Sequence, residues 1–463
     1  MDNKLERKYG LPMAICMVIG IVIGSGIFFK AQDILVNTGG SMKLGILAWL
    51  IGGIVMVICA LTFANFASKY EKVNGIVDYA EAIVGKKYGY IVGWFVSTIY
   101  FPAMTSVLAW VSARYTLVLF GNTDITGGLC MTLSGLYLVC SYCLNALSPK
   151  LAGKFHVSST VIKLVPLIIM AVVGIIFSLA NGNLVESFNQ VSNTTVGSDS
   201  IFAGIVSASF AYEGWIIATS INAELKDSKK NLPKALTFGS IVIVIIYITY
   251  FVSLTGGASV ETLMNDGATK AFTNIFGNIG GTILNAFIVI SCLGTLNGLM
   301  LASSRCLYSL AIRKEGPCID SLSQVDSRTN MPTNSAVMAL LICSFWLFYF
   351  YGANLNSIPI FGKLSFDSSE LPIVTTYAFY LPIFVVFIIK EGKQDKIKNI
   401  VLPLLAAICS LFMIFSAIYA HGISPFLTAK EHGEFSFPIL SYLIIFIVIM
   451  GIGILLNKKK KEN

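Results

Sequence analysis

Residues 11–29, LPMAICMVIGIVIGSGIFF, decide the fold class. Nineteen consecutive residues carry no charge, and a helix of about twenty residues crosses the ~30 Å hydrocarbon core of a bilayer. The start, residues 1–9, is short and charged, and no small-residue cleavage site ends the run. It therefore reads as a retained first membrane helix rather than a signal peptide.

The rest of the chain repeats that pattern. Of 463 residues, 56% are hydrophobic and 12% charged, whereas a water-covered domain carries about 25% charged residues. The apolar blocks are continuous rather than alternating, which predicts helices and not a barrel. Only helices and closed barrels satisfy their backbone groups in lipid. Twelve spans are predicted: 10–30, 45–66, 89–119, 126–147, 157–180, 200–222, 236–256, 275–305, 334–352, 372–390, 399–420 and 437–456. An even number puts both termini on one side.

Lys and Arg set the orientation. With the N-terminus inside, the inner segments hold 24 of the 32 Lys and Arg. The outer ones hold only Lys30, Lys43, Lys270, Lys363 and Lys430, while Arg114, Lys163 and Arg305 fall within or at the ends of helices. Residues 1–9 and 457–463 are accordingly expected in the cytoplasm. The net charge of +8 then reflects topology and contact with anionic lipid, not nucleic acid. The ten cysteines lie mostly in apolar blocks and imply no disulfide framework. Cys140 and Cys143 read as packing residues rather than a redox pair. His156, His421 and His432 are scattered and suggest no metal site.

Two spans carry interruptions. The first holds Gly20, Gly24, Ser25 and Gly26 in its middle, and the sixth holds Tyr212-Glu213-Gly214-Trp215. Glycine costs about 1 kcal/mol in a helix interior, and a charged Glu costs several at membrane depth. Interrupted helices in corresponding places of two halves point to two repeats and a midplane binding site. A small-residue packing face is the plainer alternative for the first helix. The two repeats are expected at 10–180 and 200–390, with two further helices in 399–456.

If the first helix unwinds at Gly24, Ser25 and Gly26, its second half begins with N–H groups backed by the positive end of a helix dipole. That suits a carboxylate. The carbonyls near Val22 and Ile23 become acceptors for an ammonium group. The sixth helix repeats the arrangement near Phe210, Ala211, Glu213 and Gly214. Donors for a carboxylate and acceptors for an amine are the complement of an α-amino acid. Phe210, beside the break, is placed to cover the site; a lipid or core contact is its alternative.

At these residues the chain resembles the amino acid–polyamine–organocation transporters. Gly24-Ser25-Gly26-Ile27-Phe28 is similar to their GSGIF signature. Phe210-Ala211-Tyr212-Glu213-Gly214-Trp215, followed by Glu224 and Asn231-Leu232-Pro233, resembles the sixth helix of the L-type amino acid transporter branch. Gly294-Thr295-Leu296-Asn297-Gly298, Ser303-Ser304-Arg305 and Arg313-Lys314-Glu315-Gly316 resemble the eighth helix and the loop after it. The resemblance runs from about residue 9 to 333 and thins over the last four helices. It implies an all-α integral membrane protein of twelve helices, with two inverted five-helix repeats (the LeuT-like fold), two C-terminal helices and alternating access. It also implies that Ser25 and Gly26 bind the substrate carboxylate. The carbonyls of Val22, Phe210 and Glu213 would bind its amine, and the Phe210 ring would be an outer lid.

Lys163 sits deep in the fifth span, flanked by apolar residues that leave it no route to snorkel. The expectation is a fixed cation that replaces a sodium ion and braces the first and eighth helices. The resemblance supports this, because many sodium-independent members carry lysine there. A buried lysine is also a candidate proton-coupling group. Glu213 departs from many relatives, which carry Gly or Ala; some acceptors of dibasic amino acids are acidic at this position. Two readings of Glu213 stand: pairing with a substrate ammonium or a proton, and pointing away from the site.

The expected function is sodium-independent transport of L-amino acids across a plasma membrane by exchange of neutral substrates. Proton-coupled or cationic transport, and an amino acid sensor without flux, are the alternatives. No nucleophile–base or metal constellation marks an intramembrane enzyme, no filter repeat marks a channel, and no P-loop or cofactor motif is present. Animal relatives associate with a glycoprotein heavy chain. The lysine-rich composition and short termini look bacterial, so no obligate protein partner is expected beyond substrate and lipid. Two features read as structural: Gly256-Gly257 and Gly280-Gly281 at helix ends or loops, and Asp78 and Glu81 in a loop helix.

Overall fold

The computed structural model describes residues 10–70, 75–189, 199–218, 225–356, 358–393 and 395–458. Glu224, part of the sixth-helix resemblance, lies outside them. The described residues are almost entirely helical and form no sheet.

The first apolar run is split into α1 (Leu11–Val22) and α2 (Gly26–Asn37). The long α3 (Met42–Lys69) follows, and Asp78 and Glu81 fall on the short α4 (Ile76–Ile83), as the sequence predicts. One continuous span joins α5 (Lys86–Phe95), a five-residue π segment (Val96–Tyr100) and α6 (Phe101–Leu119). After α7 (Gly128–Leu147), α8 (Pro149–Ile162) and α9 (Leu164–Ala180) meet at Lys163, and α10 (Asn183–Asn189) is short. The sixth run is split into α11 (Asp199–Tyr212) and α12 (Trp215–Ala218). The chain continues through α13 (Ser228–Ser253), α14 (Val260–Asp266), α15 (Ala268–Ile312), α16 (Ile319–Leu322) and α17 (Thr333–Phe350). A second π segment (Tyr351–Leu355) prolongs α17. Then come α18 (Leu371–Glu391) and α19 (Leu402–Ile418), the latter between π segments Ile397–Val401 and Tyr419–Ile423. Last are α20 (Ser424–Glu431) and α21 (Pro438–Lys458).

Among the described residues, ten helical stretches are long and apolar enough to cross a membrane. The stretches predicted at 10–30 and 200–222 appear instead as shorter apolar helices, because each is broken in its middle. Several helices outrun their predicted ends. The start of α8 moves from 157 to Pro149, that of α13 from 236 to Ser228, and the end of α15 from 305 to Ile312. The added turns at α8 and α13 carry Lys150, Lys154, Lys229, Lys230 and Lys234. An apolar window stops at such residues, but a helix does not, since lysine is a good helix former.

Contacts cluster into two compact units, each assembled from separate pieces of the chain. The first is Met1–Gly89, Leu167–Gly281 and Ile373–Ala420; the second is Tyr90–Pro166, Thr282–Pro372 and His421–Asn463. In the first, α3 packs on α11 and α13. Trp49 of α3 is fully buried, edge-on to Tyr212 (5.5 Å) and Tyr247 (5.4 Å), and its carbonyl accepts the Tyr212 hydroxyl at 2.9 Å. Within lipid, helices gain little from apolar transfer and hold together through close packing. Gly52 fits that need: a Cβ there would stand 3.3 Å from Ala208 of α11.

The break in α15 comes just before Gly280-Gly281, which stand in the first turn of its second part, at a helix end as expected. The turn is at Gly277, whose φ of 72° and ψ of 176° interrupt the helix. The chain doubles back so tightly there that a Cβ on Gly281 would meet the Thr273 Cα at 2.7 Å.

In the second unit, α8 lies against α15 through the Gly294-x-x-x-Gly298 spacing. A Cβ on Gly294 would collide with Ser159, and one on Gly298 would stand 2.9 Å from the His156 ring. Asn145 of α7 donates to Asn297 Oδ1 at 2.9 Å, and Asn297 donates to the Ala152 carbonyl at 3.1 Å, tying α7, α15 and α8 together. Trp346 Nε1 donates to the Thr98 carbonyl inside the first π segment at 2.8 Å. Cys140 faces outward from α7 while Cys143 is half-buried.

Candidate functional site

The first break begins where α1 ends at Val22. Ile23 turns to extended geometry (φ −67°, ψ 101°) although its N–H still reaches the Ile19 carbonyl at 2.9 Å. Ser25 then returns to helical geometry and caps α2, with the Phe28 N–H on the Ser25 carbonyl at 3.0 Å. The Ser25 side chain takes no part in the cap. It is 1% exposed, and its Oγ has no hydrogen-bond partner among the described residues. Burying an unpaired hydroxyl costs about 1–3 kcal/mol. At the start of a helix, where N–H groups lack i−4 carbonyls, an unsatisfied hydroxyl adds one more polar group available to an anion.

The second break is built differently. α11 ends at Tyr212, Glu213 folds back with its N–H on the Phe210 carbonyl at 3.3 Å, and Gly214 takes φ +106°. An L-side chain at that φ is strained, so glycine permits the turn into α12. The two breaks touch: a Cβ on Gly26 would stand 2.9 Å from the Ala211 Cα and 3.3 Å from the Phe210 ring.

Tyr247 of α13 links them. Its hydroxyl lies 3.0 Å from the Ala211 carbonyl and 3.3 Å from the Val22 carbonyl. Sequence reading missed it. The available signal was a tyrosine in an otherwise apolar helix, because a buried phenol seeks a polar partner. The expected acceptors are thus partly engaged: Ala211 and Val22 by Tyr247, Phe210 by Glu213. A carbonyl has two lone pairs, so each retains capacity for a second donor.

Phe210 is buried, edge-on to Phe29 at 5.1 Å. Lys30, counted from sequence among the outer flanking lysines, is instead inside α2 and 3% exposed. Its Nζ pairs with Asp33 at 3.1 Å and lies 5.3 Å from the Phe210 ring centroid. Hydropathy windows end at a charge, whereas this one is held by an ion pair and two rings. The Glu213 side chain is buried and close enough to Cys59, Tyr377 and Tyr380 to act on each electrostatically. Val22, Ile23, Gly24, Ser25, Gly26, Phe210, Ala211, Glu213 and Gly214 therefore fall together in the first unit.

Lys163 belongs to the second unit. It is 4% exposed, at the junction of α8 and α9, with its N–H on the Ser159 carbonyl at 3.0 Å. His156, two turns earlier, lies within its electrostatic reach and contacts the Gly294 carbonyl of α15 at 3.3 Å. Among the described residues, no three His, Cys, Asp or Glu side chains group to hold a metal.

Comparison with known proteins matches residues 9–452 to the family described as amino acid permease. The serine/threonine exchanger SteT of Bacillus subtilis (strain 168) is 30% identical over 434 residues, covering 91% of this chain and 94% of its own. The b(0,+)-type amino acid transporter 1 of Mus musculus is 24% identical over 426 residues, covering 90% and 83%. Among solved structures, MhsT in complex with L-phenylalanine superposes with a TM-score of 0.57 at 14% identity, over 89% of this chain and 99% of that one. That likeness shows the LeuT-like fold. With ten membrane-length helices, the chain is a multi-pass membrane protein.

Proposed function

The chain belongs to the amino acid permease family, of transporters rather than enzymes, and on that premise we propose that it is a sodium-independent exchanger of neutral L-amino acids. The observation that carries this reading is the buried, unpartnered Ser25 Oγ at a helix start pressed against a second broken helix. A substrate carboxylate bound by Ser25 and by the first N–H groups of α2 would satisfy that hydroxyl. The substrate amine would take the remaining lone pairs of the Val22, Phe210 and Glu213 carbonyls, and the Phe210 ring would close over it. Lys163 would supply the fixed positive charge that a coupling sodium ion provides elsewhere, held beside the α8–α15 contact. Both termini would face the cytoplasm, and the two repeats would occupy 10–180 and 200–390.

Similarity to a serine/threonine exchanger makes serine and threonine the first substrates to test. Purified protein in liposomes should take up labelled serine without sodium, faster when unlabelled amino acid is inside. Uptake that requires sodium, or that ignores internal substrate, would overturn the exchanger reading. Glu213 keeps a second reading in view, since a buried carboxylate beside the amine-binding carbonyls favours a cation. Arginine uptake equal to serine uptake would establish it.

A further inference from the structure

In the second unit, α7, α8 and the second part of α15 enclose a cleft of about 240 Å³, lined by none of the residues of the candidate site. Leu136, Cys140 and Leu144 of α7, Phe155 of α8 and Leu296 of α15 make its wall apolar. Leu136 and Cys140 are exposed, so the cleft opens on the outward face of a membrane-length helix. Its polar groups are engaged with one exception. The Tyr137 hydroxyl shares a hydrogen bond with Thr116 at 3.0 Å, and the Asn297 side chain is held by Asn145 and Ala152. Ser141 is 7% exposed, and its Oγ has no hydrogen-bond partner among the described residues. The volume falls below the roughly 300–1,000 Å³ of pockets that enclose a small molecule; it suits a segment of an apolar chain.

The α7–α8 corner beside the cleft is cationic. Pro149 opens α8 without an N–H, and the N–H groups of Lys150 and Leu151 precede the first helical hydrogen bond, from Ala152 to the Ser148 carbonyl at 3.0 Å. No side chain caps this helix start, and such an end attracts anions. Lys150 and Lys154 are exposed. On α15, Gly294 packs on Ser159 and Gly298 on His156, so the two helices run antiparallel. Arg305, also exposed, stands seven residues beyond Gly298 on the same face of α15, which carries it to the level of the α8 start. None of these three basic residues forms an ion pair with a described residue, and α7, α8 and α15 contain no Asp or Glu.

We propose that the cleft and the corner together bind an anionic phospholipid, its headgroup phosphate at the α8 start among Lys150, Lys154 and Arg305 and part of one acyl chain in the cleft. The apolar cleft decides for a lipid over a free phosphate, because a soluble anion would leave it unused. Ser141 lies six residues from the end of α7, about 9 Å along the axis. That is the depth at which the headgroup layer gives way to hydrocarbon, and there the hydroxyl can donate to an ester carbonyl.

The test titrates the purified protein in detergent with dioleoyl phosphatidylglycerol, dioleoyl phosphatidylcholine and inorganic phosphate, and reads the bound mass by native mass spectrometry. The wild type should bind its first phosphatidylglycerol at least tenfold more tightly than phosphatidylcholine, since each basic side chain at a membrane surface is worth roughly fivefold in affinity for an anionic lipid. Lys150→Gln, Lys154→Gln and Arg305→Gln combined should remove that preference. Lys393→Gln, Lys396→Gln and Lys398→Gln combined, which remove the same charge from the first unit, should keep it. Cys140→Trp and Leu136→Trp each fill the cleft from an exposed position and should weaken phosphatidylglycerol binding several-fold at an unchanged unfolding temperature. Equal wild-type affinity for the two lipids would overturn the proposal. So would equal losses in the two triple variants, or cleft-filling variants that both bind as the wild type does. Inorganic phosphate bound as tightly as phosphatidylglycerol would make the corner a soluble-anion site and sink the lipid assignment. None of these readouts is transport, so the exchanger reading stands or falls separately.

Discussion

The two helix breaks lie against each other yet are made by different means. Between α1 and α2 the chain needs no left-handed residue: Ile23 extends, Ser25 restarts the helix, and a hydroxyl is left buried without a partner. Between α11 and α12 the turn depends on Gly214 at φ +106°, and the carbonyls around it are already engaged by Glu213 and Tyr247. One break holds a buried hydroxyl with no partner among the described residues, while the other has carbonyls that already hold one partner each and a turn at the φ that its glycine permits. The difference teaches that similar interruptions in sequence can divide labour, the first suited to grip a ligand's anionic end and the second to shape and hinge the wall beside it.

The largest expected effect breaks the contact between them. Gly26→Val should abolish serine uptake while leaving membrane insertion and monodispersity intact, because even the first carbon of the new side chain meets the Ala211 backbone at 2.9 Å. Near-normal uptake would mean that the two breaks need not touch. Lys163→Ala, outside both breaks, is the next in size. Transport should fall at least about tenfold with insertion preserved, the scale of losing one buried charge interaction; unaltered flux would remove the fixed-cation role. Gly214→Ala should strain the second break by about 1–3 kcal/mol, reducing kcat more than it raises KM. An equal effect on KM alone would place Gly214 in binding rather than hinging. Tyr247→Phe strips the hydroxyl shared by the two breaks and should cost about 1–2 kcal/mol of thermal stability, read as a lowered unfolding temperature in detergent. Smallest is Ser25→Ala, which should raise the serine KM by roughly 2–10-fold through one lost hydrogen bond, with kcat little changed. A KM unaffected by Ser25→Ala would transfer the anion-binding role to the backbone alone.

Much of this architecture was legible in the chain because lipid imposes a simple code. Apolar runs of membrane length located the helices, and the Gly24-Ser25-Gly26 and Glu213-Gly214 clusters marked both breaks, since glycine and buried charge are costly in a helix unless something compensates. What was not legible depends on partners distant in sequence. Lys30 counts as a flank until the Phe210 ring, some 180 residues away, is found 5.3 Å from its ammonium. Tyr247 is one tyrosine among 19 until its hydroxyl is found between carbonyls of two other helices. The turn at Gly277 was not legible because a lone glycine is tolerated inside a helix; the Gly280-Gly281 pair beside it serves the close return after the turn. The helix ends beyond the apolar windows were invisible for a simpler reason: hydropathy records where lipid stops, and a backbone hydrogen-bond ladder has no such limit.

The π segments at Val96–Tyr100 and Tyr419–Ile423, each with α-helix on both sides, carry a consequence for descent. A π turn is an α-helix with one residue inserted, and each insertion rotates every side chain beyond it by about 100°. An ancestor lacking the extra residue would have presented a different face to the same neighbours with its helix otherwise whole. Alignments of relatives should therefore place single-residue gaps inside these apolar helices, where an insertion is ordinarily least tolerated, and members that differ there should differ in which side chains line the helix downstream.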